Sequence, residues 1–135
     1  MFRVLSVLLF FIFSGCSDNS TITFYEKNLE GKKIDCLSLE IFPPDKLIEE
    51  NLRTLYSFSD SCRYKLQPSK KIGIVCNSPY NSEKKSTNNF PSSYFRIDLY
   101  DKETPLYSYY IDLVSEPNSE DIKKAFLRMK KDLSL

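Results

Sequence analysis

Four cysteines, Cys16, Cys36, Cys62 and Cys76, are the side chains of this 135-residue chain with the most distinctive chemistry. None of them forms a Cys-x-x-Cys pair and the chain has no histidine, so the usual ligands of a zinc site and the usual dithiol of a redox enzyme are missing. The lack of histidine also excludes Ser-His-Asp triads and Cys-His dyads. No spacing of carboxylates indicates a catalytic acid and base. We therefore expect no catalytic residue, no metal and no cofactor.

The first residues have the pattern of an export signal. Arg3 precedes an apolar run at residues 4–13, which contains a single serine. The small residues Ser14 and Gly15 then lead directly to Cys16. A positive charge, an apolar segment and a small-residue cleavage site occur in this order in secretory signal peptides. As a helix the run would rise about 15 Å, roughly half of a bilayer core, so it is too short for a membrane span.

The end of this segment carries a more specific signal. The sequence Phe13-Ser14-Gly15-Cys16 resembles the lipobox of bacterial lipoproteins. The resemblance implies cleavage between Gly15 and Cys16, a diacylglyceryl group on the Cys16 sulfur and, in many species, a further acyl chain such as palmitate on the new amino terminus. Ser17 stands where an aspartate retains many such proteins at the inner membrane. The resemblance therefore favours the outer membrane, facing the periplasm, over the inner membrane.

The rest of the chain has the composition of one small domain. The net charge is +1, so there is no basic surplus to indicate a nucleic-acid partner. We expect a signal peptide at 1–15, a lipidated tether at 16–20 and a single domain at 21–135. Residues 77–92 show no periodicity and exceed an ordinary hairpin connection, which predicts a mobile loop.

Apolar periodicity within this domain predicts an α+β fold. Alternating β-formers predict strands at 21–26, 34–42, 61–67, 71–77, 93–100 and 106–114. Apolar stripes at helical spacing predict helices at 45–57 and 120–133, the second closing the chain. These elements favour an antiparallel sheet of about six strands, with both helices packed on one face.

The clearest element is a hairpin formed by residues 93–100 and 106–114. Pairing Tyr100 with Leu106 gives one face six apolar or aromatic residues: Phe95, Ile97, Leu99, Tyr107, Tyr109 and Ile111. The opposite face then receives the side chains that we consider for partner binding: Tyr94, Arg96, Tyr100 and Tyr110. Tyrosine is frequent at protein interfaces, although it is also simply a good strand residue.

The remaining cysteines permit more than one arrangement. A hairpin turning at residues 68–70 would place Cys62 opposite Cys76, and an exported domain can form such a disulfide. With that pairing Cys36 is left over as a buried thiol. In a second arrangement, Cys36 takes one of the other two cysteines as its partner. In a third, the cysteines are buried free thiols.

The expected function follows from the predicted export and membrane anchor, because no motif indicates a catalytic activity or a ligand. We expect a non-enzymatic, membrane-anchored lipoprotein whose domain binds another envelope protein. The alternatives are an immunity or exclusion lipoprotein that neutralises an envelope-targeting toxin, and a structural accessory subunit of an envelope secretion or assembly machine. An enzyme would require a concave pocket with perturbed carboxylates. The last helix also has a basic face, which either rests on anionic headgroups or is merely solvated.

Overall fold

A computed structural model describes residues 19–29, 32–74 and 91–135. Within these ranges the fold is α+β with the helix α2 last, as the sequence predicts. The elements in chain order are β1 Ser20–Phe24, β2 Ser38–Leu39, α1 Lys46–Leu55, β3 Tyr64–Lys71, β4 Ser93–Asp101, β5 Thr104–Leu113 and α2 Ser119–Leu133. The predicted signal peptide, the lipidation site Cys16 and most of the predicted loop at 77–92 lie outside the described residues.

The described strands form one mixed sheet, in the order β1-β5-β4-β3-β2. Four strands pair antiparallel to a neighbour, whereas β2 pairs parallel to β3. The prediction of about six strands in an antiparallel sheet is therefore not confirmed. The predicted strand at 34–42 contributes only the two residues of β2, and the predicted strands at 61–67 and 71–77 are replaced in the described residues by the single strand β3.

The orientation of the Pro68 nitrogen explains why β3 is continuous at the position where the sequence predicts a turn. The backbone carbonyl of Leu66 accepts a hydrogen bond from the Glu40 amide, on the side of the strand facing β2. Since backbone groups alternate along a strand, Pro68 also turns its nitrogen away from β4. Its missing N–H therefore costs no bond in the β3–β4 ladder, and proline is tolerated at such a position.

The predicted hairpin is present as β4 and β5. Phe95 lies opposite Ile111, Ile97 opposite Tyr109 and Leu99 opposite Tyr107, and all six side chains are buried. The predicted pairing of Tyr100 with Leu106 is wrong by one residue, because Tyr100 pairs with Pro105. A register shift beside Leu99 absorbs the difference, as β-bulges do. The connection is consequently a tight turn at residues 102–103 instead of a longer loop.

Both helices cover the face of the sheet that carries these buried side chains. Ile48 and Leu52 of α1 belong to the same core cluster as the buried strand residues. So does the predicted stripe of α2, Ile122, Ala125, Phe126, Met129 and Leu133. Each helix begins at a side-chain cap: Asp45 accepts a hydrogen bond from the Ile48 amide, and Asn118 forms a capping box with Asp121.

The disulfide of the structure joins Cys36 to Cys62, with 5.8 Å between their Cα atoms. The predicted Cys62–Cys76 pair is not formed, because β3 continues through residues 68–70 and the hairpin that would align those two cysteines does not exist. Cys36 instead takes Cys62, which is the second arrangement that the sequence left open. Cys76 lies outside the described residues. The bond closes a segment that contains β2 and α1.

An ion pair also holds the start of β3, next to the disulfide-bonded Cys62. Arg63, next to Cys62, donates from Nε and Nη2 to the two carboxylate oxygens of Asp101, at 2.5 and 2.7 Å. The Asp101 side chain is 9 % exposed, at the end of β4. The Arg63 guanidinium holds the pKa of this carboxyl below its usual value, so the pair persists at neutral pH.

The disulfide should contribute substantially to stability. Its cysteines are 26 residues apart, and closing a loop of that length stabilises a fold by about 3.5 kcal/mol in the chain-entropy model. The Cys36→Ser/Cys62→Ser variant should therefore have a free energy of unfolding in urea lower by about 3.5 kcal/mol.

Cys76→Ser is the matched control and should unfold like the wild type. Non-reducing peptide mapping of the wild type should show a peptide that links Cys36 to Cys62. A linked peptide that joins Cys62 to Cys76 would contradict this assignment.

Candidate partner-binding surface

The face of the sheet opposite the helices carries the residues that the sequence singled out for binding. Tyr94, Arg96 and Tyr100 alternate with the buried residues of β4, and Tyr110 lies directly opposite Arg96 on β5. All four side chains are half-buried, in contrast to the fully buried core face. We call these four residues the tyrosine face. The structure thus brings all four together on one side of the hairpin.

Contacts within the tyrosine face hold two of its rings in place. The rings of Tyr94 and Tyr110 lie 5.2 Å apart between centroids, at an interplanar angle of 35°. The Tyr110 hydroxyl donates a hydrogen bond to Asp112 Oδ1 at 2.7 Å. This bond to a carboxylate, together with partial burial, raises the pKa of Tyr110 to about 12. The two tyrosines are therefore oriented before any partner arrives.

Arg96 is oriented by a carboxylate on its own strand. Its Nε donates to Asp98 Oδ1 at 2.8 Å, and its side chain remains 39 % exposed. Partial burial raises the pKa of Tyr100, and the nearby Asp98 carboxylate acts in the same direction. The Tyr100 and Tyr110 phenols are therefore neutral at physiological pH, beside a guanidinium that Asp98 holds in place.

A groove extends this surface toward β2. It has a volume of about 520 Å³ and is lined by Glu40, Ile41, Phe42, Gln67, Pro68, Ser69 and Asp98. Gln67 pairs with Asp98 across β3 and β4, so the groove adjoins the tyrosine face directly. Phe42, at its rim, is 86 % exposed.

Sequence reasoning missed the groove because it depends on a contact between distant segments. Residues 40–42 lie beside β3 only after the parallel pairing of β2 has formed. The sequence contains one indication of this groove. Phe42 precedes two prolines, which end the strand at this point, so the alternation of the strand does not assign this large apolar side chain to the buried face.

The described residues contain neither a metal-ligand cluster nor a membrane-spanning helix beside this surface. Within residues 19–29, 32–74 and 91–135, no group of three or more potential metal ligands occurs. In the same ranges no helix is long and apolar enough to cross a membrane. Comparisons with protein-family models, with curated proteins and with solved structures found no match.

The hydrogen bond from Tyr110 to Asp112 gives a testable titration. Asp112→Asn should lower the pKa of Tyr110 from about 12 toward the ordinary value of 10. In the wild type the bond's contribution to folding stability is complete below about pH 10, where an unfolded tyrosine is protonated. That contribution is lost as the pH rises through about 12.

The measurement is a pH titration of the tyrosine Cζ resonances in ¹³C-labelled protein. The Tyr110→Phe variant assigns the resonance, because it removes that one signal. An unchanged titration in Asp112→Asn would show that the hydrogen bond is not made in solution.

Proposed function

We propose that this chain is a small, membrane-anchored bacterial lipoprotein whose domain binds another protein through the tyrosine face. The observation that carries the proposal is the placement of Tyr94, Arg96, Tyr100 and Tyr110 on the sheet face that neither helix of the described chain covers. Tyrosine and arginine are enriched among the residues that dominate binding energy at interfaces.

The arrangement of these side chains suits binding. The Tyr94–Tyr110 ring pair and the Arg96–Asp98 ion pair already hold defined orientations, so less side-chain entropy is lost when a partner docks. Phe42 adds a large exposed apolar group at the rim of the adjoining groove. A partner that covers the hairpin and inserts into the groove would bury both kinds of group.

The anchor is the second part of the proposal and rests on the resemblance at Gly15 and Cys16. Two or three acyl chains give durable attachment to a membrane, whereas one gives only marginal binding. Attachment through a short tether raises the local concentration of the domain for a partner in the same envelope. We propose the outer membrane, facing the periplasm, as its site. We further propose that the function is tethered binding without catalysis.

The binding surface is tested by cross-linking the protein in its own membranes and identifying what co-purifies. Tyr94→Ala, Arg96→Ala and Tyr100→Ala, made singly, should each reduce recovery of the partner. For the purified pair, each should lower the affinity about 30-fold, the effect of removing an energetically dominant interface residue.

The matched control for Arg96→Ala is Arg53→Ala on α1, because Arg53 also pairs with a carboxylate on its own element, Glu49, at 2.9 Å. Unfolding of each variant in urea separates lost binding from lost folding. Normal recovery of the partner with all three face variants would contradict the surface. One dominant soluble partner would favour an immunity or exclusion role, whereas several envelope subunits would favour an accessory role.

The anchor is tested independently of the partner. Cys16→Ser removes the sulfur that would carry the lipid, so this variant should leave the membrane fraction in a high-salt wash while the wild type stays. Cys76→Ser is the control for loss of a cysteine. Retention of Cys16→Ser on salt-washed membranes would contradict lipid anchoring at this residue.

A further inference from the structure

The outer surface of α2 is strongly basic. Residues 122–131 include five lysines and arginines and no acidic residue. The helix rotation is fixed by buried residues such as Ile122, Phe126 and Met129, so Lys123, Lys124 and Lys131 lie on the exposed side. We call Lys123, Lys124, Leu127, Lys130 and Lys131 the basic face.

The centre of the basic face is an exposed leucine. Leu127 is 47 % exposed, and the lysines lie three or four residues away on either side of it, which is one helical turn. Lysine side chains at this distance extend their apolar stems along the helix and keep the ammonium groups in water. The lysines would attract an anionic lipid surface, and Leu127 gives this face one apolar side chain that can enter the headgroup region.

Three of the four lysines of this face form no ion pair within the described residues. Elsewhere in the domain lysines form ion pairs, as Lys32 does with Glu26 at 2.9 Å and Lys70 with Asp45 at 2.8 Å. None of the ion pairs of the described residues includes Lys123, Lys130 or Lys131. A chain of almost balanced charge thus has a local positive surface.

The basic face also lies near the strand to which the tether connects. The Phe24 ring of β1 packs edge-on against Tyr107 at 5.3 Å, and the Tyr107 hydroxyl donates to Asp132 of α2 at 2.8 Å. The Phe24 end of β1 is therefore close to the last turn of α2, beside Lys131. Residues 17–24 join Cys16 to this end of β1 and span at most about 28 Å, so an anchor at Cys16 would hold the last turn of α2 within that distance of the lipid.

We infer that the basic face of α2 docks on the anionic surface of the membrane in which the protein is anchored. The inference rests on the proposed anchor, and it adds the orientation of the domain. Lys123, Lys124, Lys130 and Lys131 contact lipid phosphates, and Leu127 inserts between headgroups. Because the helices and the tyrosine face lie on opposite sides of the sheet, docking through α2 turns the tyrosine face away from the membrane.

The test is lysine footprinting of the full protein purified from its own membranes. The protein is mixed with vesicles of phosphatidylcholine, or of phosphatidylcholine and phosphatidylglycerol in equal parts, and acetylation of each lysine is followed by mass spectrometry. Lys124 and Lys130 should be acetylated at least about five-fold more slowly on the anionic vesicles. High salt should restore the rate, and the exposed Lys33 and Lys46 should be unaffected.

Neutralising variants show which charges are responsible. Lys123→Gln/Lys131→Gln should weaken docking about five-fold for each lysine removed, so the slow acetylation of Lys124 and Lys130 is lost. Lys33→Gln/Lys46→Gln carries the same net charge and should retain it. Equal protection in both double variants would overturn the inference.

The two vesicle types also separate this inference from the anchor. If the protein binds both vesicle types and Lys124 and Lys130 are protected only on anionic lipid, the result supports both docking and anchoring. Protein on anionic vesicles alone, released by salt, supports docking and contradicts the anchor. Protein on both vesicle types without protection overturns docking and leaves the anchor intact. Protein on neither overturns both.

Discussion

The pairing of β4 with β5 determines which side chains the protein buries and which it presents. Because side chains alternate along a strand, a shift of one residue in this register would exchange the two faces. Phe95, Ile97 and Leu99 would then lie in water, and Tyr94, Arg96 and Tyr100 would lie beneath the helices. Burying the guanidinium of Arg96 there would cost several kcal/mol. The core and the candidate binding surface are therefore two results of the same constraint.

Two interactions hold the end of this hairpin against the rest of the sheet. Asp101, the last residue of β4, is bound by Arg63 through two hydrogen bonds, and the neighbouring Cys62 is bonded to Cys36. The segment that contains β2 and α1 is thereby fixed at the edge of β3. This position matters for the surface, because Phe42 and the groove beside it belong to that segment.

Sequence reasoning succeeded where the pattern is local and periodic. The alternation in β4 and β5 gave the correct opposed pairs, and the stripe of α2 gave its buried residues, because one buried face imposes a regular spacing. It failed at β3, where Pro68 indicated a turn although the sheet accommodates this proline with its nitrogen pointing away from β4. That error produced the wrong disulfide pairing. It also missed the groove, because the approach of Phe42 to Pro68 depends on the parallel β2–β3 pairing, which leaves no periodic trace in the chain.

Among the residues that the structure describes, helices cover only one face of the sheet, and this has a thermodynamic consequence. A partner seated on the open face would act as a second layer of the same fold, so binding and folding would be linked equilibria. A partner that binds only the folded domain, present at a hundred times its dissociation constant, adds about 2.7 kcal/mol to the free energy of unfolding. The bound domain would then resist heat and proteolysis better than the isolated domain, and its lifetime would depend on whether such a partner is present.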